Sequence, residues 1–166
     1  MLPEPSPRPP GVGQPEANDG EMSAAVLLVR VLLGALLLIA GGLKIGHPAE
    51  LAASIAGFRL LPPAIVGPLA VALPYVEVLL GVYLIAGLFT RVVAVVVAVQ
   101  FLMYAGAIAS AVLRQISASC GCFGPGDKAT ADWPHVLLDL ALAAAGAFIA
   151  YGAPGALAFD RRLRSA

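Results

Sequence analysis

Cys120 and Cys122 are the only cysteines of the chain, and a single glycine, Gly121, separates them. Two thiols so close can join only in a tight loop, and glycine permits the dihedrals that such a ring demands. A disulfide formed there is strained, and strained or exposed disulfides exchange rather than staple. Phe123 and Gly124 follow directly, with Pro125 and Gly126 beyond them, which suggests a loop of fixed shape open to a partner. Two other readings stay open: two thiols of no consequence, or a soft-metal site, because two thiolates can hold Cu(I). Structural zinc wants four ligands, and His47 and His135 are the only histidines. No resident metal or other cofactor is expected; a quinone or Cu(I) is chemically compatible, but no residue pattern supports either.

A second set of residues is informative because of where it falls. Arg30, Lys44, Glu77 and Asp139 lie within or at the ends of long apolar runs. Ionisable groups at membrane depth are costly, and they face the bundle interior or a partner. Lys44 and Asp139 are both expected near the ends of their helices on the cysteine side, so they are the first expected pair. Glu77 would join them through a bend or be protonated, and Arg30 would snorkel to the interface. Such a pair either holds helices in register or handles protons.

The elements that carry these residues are dictated by composition. Hydrophobic residues make up 60% of the chain and charged residues 12%, with a mean hydropathy of +0.90. A soluble domain carries roughly a quarter charged residues, so this chain has too little polar surface to cover itself in water. The formal net charge is zero, which leaves no electrostatic footprint for nucleic acid. The lipid bilayer is therefore the first expected partner. The fold class is all-α: an integral membrane four-helix bundle with a short amphipathic interfacial helix between spans 1 and 2.

Span 1 is expected over Ala24–Leu43, span 2 over Ala64–Phe89 with Pro68 and Pro74 inside it, span 3 over Val92–Leu113, and span 4 over His135–Ala156. Between spans 1 and 2, Leu51, Ile55, Phe58 and Leu61 recur at helical spacing opposite Glu50 and Arg59, as in a helix lying in the interface. Thr90-Arg91 is expected as a tight turn. Asp132 is a plausible N-cap, with Trp133 as an interface anchor and Pro134 in the first turn. Ala141, Ala145 and Gly146 would let a neighbouring helix approach closely. Residues 1–22 are proline-rich and expected to be a disordered tail, residues 23–157 the membrane domain, and residues 158–166 a basic cytoplasmic tail. Met22 is an alternative natural start, and a cleaved signal peptide does not fit the length of the first run.

An even number of spans puts both termini on one side. Arg8, Arg91, Arg161, Arg162 and Arg164 then face Lys44, Arg59, Arg114 and Lys128 across the membrane. With the arginine cluster directly after the last span, the termini are expected in the cytoplasm and the cysteine loop outside a bacterial plasma membrane, where disulfides persist.

These features together resemble the MauE family of methylamine utilisation proteins, within the broader DoxX-like group of four-helix membrane proteins. The resemblance rests on Arg30 and Gly34, Gly42-Leu43-Lys44, Leu60-Leu61-Pro62, Leu73-Pro74 with Glu77 and Gly81, Cys120-Gly121-Cys122-Phe123-Gly124, Trp133 and Asp139, and spans about Val26 to Tyr151. It implies a role in maturing the disulfide-rich small subunit of methylamine dehydrogenase or another disulfide-containing client, with a thioredoxin-like extracytoplasmic partner. A second cysteine pair, needed to relay electrons within one chain, is absent. The rival class is a non-enzymatic membrane subunit or copper-binding carrier. A small-molecule transporter is weaker, because there is no evident internal repeat.

Overall fold

The computed structural model describes residues 16–119, 130–153 and 157–158, with side chains from Gly20 onward. Within them are five helices: α1 Glu16–Lys44, α2 Pro48–Gly57, α3 Pro63–Ala86, α4 Thr90–Leu113 and α5 Trp133–Gly152. Four are long and apolar enough to cross a membrane, over Gly20–Lys44, Pro63–Ala86, Thr90–Leu113 and Trp133–Gly152. Leu32, Val92, Met103 and Leu137 each expose more than 60% of their surface. An apolar shell of that extent is what hydrocarbon wets and water does not.

The spans pack as two antiparallel pairs, α1 with α3 and α4 with α5. Small residues set the first pair. A Cβ on Gly34 would lie 2.9 Å from the Gly81 carbonyl oxygen, and one on Gly41 would lie 2.7 Å from that of Pro74. Two contacts seven residues apart on each helix define an antiparallel seam in which backbones touch, the packing that membranes favour. In the second pair Gly146 performs this role against Ala94 and Ala98. Ala145 packs beside the core, whereas Ala141 is exposed.

Several boundaries differ from expectation, each for a local reason. Helix α1 starts at Glu16, inside the segment expected as a tail, because no proline follows Pro15 until Pro48 and acidic residues favour a helix N-terminus; residues 1–15 lie outside the described residues. The turn between α3 and α4 is Gly87–Phe89 rather than Thr90-Arg91. Gly87 adopts the left-handed conformation, with φ 70°, and its N–H bonds the Tyr83 carbonyl at 2.9 Å, a termination that favours glycine. Helix α5 ends at Gly152, short of Ala156. Of the expected basic tail only Ala158 is described, and it packs against Gly87.

Helix α2 is amphipathic as expected, with Glu50 and Arg59 exposed and Leu51 buried. It is also docked on the bundle. Phe58 packs against the buried Ala105, Ile108 and Val136 cluster, and the Arg114 guanidinium donates to the Phe58 carbonyl oxygen at 3.1 Å.

Candidate functional site

Cys120, Gly121, Cys122, Phe123 and Gly124 lie outside the described residues, but the ends of their loop do not. Ser119 and Thr130 form an antiparallel bridge, and the Ala131 N–H donates to the Ala118 carbonyl oxygen at 3.0 Å. The chain thus leaves and re-enters the bundle at one closed point, between the end of α4 and the start of α5. Ala118 is buried there. Asp132 caps α5, accepting from the His135 N–H at 3.0 Å and bonding the His135 ring. These bonds hold the Asp132 carboxyl below the usual carboxylate range. Trp133 is half exposed at the first turn, as an interface anchor is.

Inside the bundle the structure assembles a polar cluster from all four spans. Lys44 ends α1, and helical side chains tilt toward the N-terminus, so its ammonium points back into the bundle. It meets both carboxylate oxygens of Glu77 at 2.8 Å. The Tyr104 hydroxyl donates to Glu77 Oε1 at 2.9 Å and accepts from Gln100 Nε2 at 2.8 Å. Asp139 completes the ring from α5. Lys44, Glu77, Tyr104, His135 and Asp139 line a cavity of about 50 Å³, roomy enough for a water molecule.

The expected Lys44–Asp139 pair is therefore corrected: the partner of Lys44 is Glu77. The α1–α3 glycine seam brings Glu77 beside Gly41, so the carboxylate already lies within reach of the ammonium. Asp139 is buried, and its Oδ2 has no hydrogen-bond partner among the described residues. Arg30 does not snorkel and does not join the cluster. It is 1% exposed and lies against Gly87, where a Cβ would come within 2.7 Å of Nη1. Fourteen residues separate it from Lys44, about 21 Å along a helix.

Gln100 and Tyr104 were not anticipated from sequence. The available signal was a glutamine inside an otherwise apolar run, with a tyrosine one turn later on the same face. No group of three or more His, Cys, Asp or Glu suited to a metal occurs among the described residues.

Comparison with known proteins agrees with this architecture. The family model of the methylamine utilisation protein MauE matches residues 22–152, which take in all four spans apart from the first two residues of the first, the polar cluster and the cysteine loop. The methylamine utilization protein MauE of Paracoccus denitrificans is 35% identical over 130 residues, covering 78% of this chain and 70% of that protein. No solved structure matches. A match that runs through every membrane helix, joined to that degree of identity, shows that the chain belongs to the MauE family.

Proposed function

We propose that the chain is a membrane-bound thiol–disulfide exchange component acting in the maturation of an extracytoplasmic, disulfide-containing client, the small subunit of methylamine dehydrogenase or another such protein. The observation that supports this reading best is the closed base of the loop. The chain's only two cysteines fall in a segment whose ends are fastened by the Ser119–Thr130 bridge to rigid membrane helices, and a reactive pair is more precise on a rigid support.

In the oxidising direction, a thiolate of a thioredoxin-like partner attacks the Cys120–Cys122 disulfide. One sulfur forms a mixed disulfide with the partner and the other leaves as a thiolate. The partner's second thiolate then attacks the mixed disulfide, which leaves the partner oxidised and the chain as a dithiol. Two electrons enter the chain per cycle. With one cysteine pair and no internal relay, they must leave through another molecule. Phe123 and Trp133 would shape the docking surface.

The test is capture. If Cys120 attacks first, Cys122→Ala traps a mixed disulfide with the partner, visible as a species that dissolves under reduction; Cys120→Ala does so in the opposite case. If neither variant traps a protein and both support client maturation, the exchange reading is wrong. Stoichiometric copper on the purified protein, lost in the double cysteine variant, would favour the carrier instead.

A further inference from the structure

Lys44 and Tyr104 of the polar cluster form the end wall of a second, larger space. A cavity of about 360 Å³ lies between α2, α3 and α4, and Lys44 and Tyr104 line it as well as the small polar cavity. The volume is that of a small-molecule site. Its only other polar lining residue is Ser54, and the rest is apolar, including Phe58, Leu73 and Ile108. Leu60, Leu61 and Met103 line it and are exposed, so its open side is apolar, as an entrance for a membrane-soluble molecule would be.

The polar end selects the occupant. A lysine ammonium has three donors, and two are directed at Glu77; among the described residues the third has no hydrogen-bond partner. Lys44 and Glu77 neutralise each other, and the buried Asp139 stands beside them. An acid entering the cavity would bring another carboxylate against these two. A cation would face the lysine ammonium. A neutral acceptor adds a hydrogen bond without adding charge, and an apolar ring and tail suit the remaining wall.

We propose that this cavity binds a neutral, membrane-soluble carbonyl compound of the quinone class, with one carbonyl oxygen accepting from Lys44, the ring beside Phe58, and the tail leaving past Met103. This assignment does not depend on the cysteines. It gives Lys44 a role beyond helix registry, as the anchor of a bilayer-derived ligand.

The experiment uses the full chain in nanodiscs of synthetic, quinone-free phospholipid, titrated with a benzoquinone carrying a ten-carbon tail. Saturable binding of one molecule per chain is expected. Ala107→Phe, which fills the cavity from α4 and leaves every side chain of the polar cluster in the sequence, should weaken it by about tenfold or more. Lys44→Met combined with Glu77→Gln removes the ammonium without stranding its ion-pair partner, and should weaken it by about tenfold. The Cys120→Ser, Cys122→Ser variant should bind as the unaltered chain does, which separates this result from the fate of the exchange reading. Absence of saturable binding would overturn the proposal, as would Ala107→Phe binding equally well. So would equal competition by decane, which would reduce the cavity to a slot for acyl chains.

Discussion

Removing the ammonium of Lys44 would strand the Glu77 carboxylate in a site where both side chains are 5% exposed or less. Breaking one half of a buried ion pair costs about 3–5 kcal/mol, whereas replacing both halves is often near neutral. Lys44→Met alone should therefore lower unfolding stability in detergent by that amount, and Lys44→Met with Glu77→Leu should recover most of it. A double variant no more stable than the single one would show that the pair is not a coupled unit. Asp132 lies outside the span and gives a pH prediction. Its folded-state carboxyl titrates below the ordinary range because His135 bonds it, so its contribution is present above the unfolded value. That contribution is lost as pH falls through the depressed folded one. Amide exchange at His135 should stay slow through mildly acidic pH and quicken only below the usual carboxylate range, and Asp132→Asn should abolish that dependence. The ionisable residues were legible because charges in apolar runs are rare. Their pairing was not, because depth along each helix says nothing about which helices touch.

Adjacent glycines near the end of α1 separate packing from propensity. A Cβ on Gly41 would meet the Pro74 carbonyl oxygen at 2.7 Å and Glu77 Cβ at 3.0 Å, while one on Gly42 meets nothing within 4 Å. Gly41→Ala should cost about 1–3 kcal/mol by forcing α1 from α3, and Gly42→Ala should be neutral or stabilising by up to about 1 kcal/mol, because alanine is the better helix former. Equal thermal shifts for the two would contradict the seam. The four spans and α2 could be read directly from apolar runs and from the Leu51, Ile55 and Phe58 spacing, since length and periodicity are local properties. The docking of α2 could not. It depends on Arg114 reaching the Phe58 carbonyl across 56 residues of chain. The seam is a further case: Gly34, Gly41 and Gly81 are visible in the sequence, but only the antiparallel register shows that they face one another. The sequence places the turn at Gly87 three residues too late, because the polar Thr90-Arg91 pair has the composition of a loop, although Thr90 is buried and begins α4.

The expected orientation in the membrane rests on which cations flank the spans. Lys44 is spent on Glu77 inside the bundle, which leaves Arg59, Arg114 and Lys128 at the end that carries the cysteine loop. At the opposite end Arg91 donates to the Ala150 carbonyl oxygen at 3.1 Å, so it shares its side with the close of α5. With Lys44 set aside, the sequence places Arg8, Arg91, Arg161, Arg162 and Arg164 against Arg59, Arg114 and Lys128, a wider asymmetry of the kind that sets topology. The expected consequence is a cytoplasmic C-terminus and an extracytoplasmic loop, the side on which disulfides persist. Intact cells treated with mild reductant and then an impermeant maleimide should be labelled at Cys120 and Cys122. A Cys120→Ser, Cys122→Ser variant carrying Ser165→Cys should resist the same reagent until the cells are lysed. The opposite pattern would put the cysteines in the reducing compartment, where an exchange partner outside the cell could not reach them.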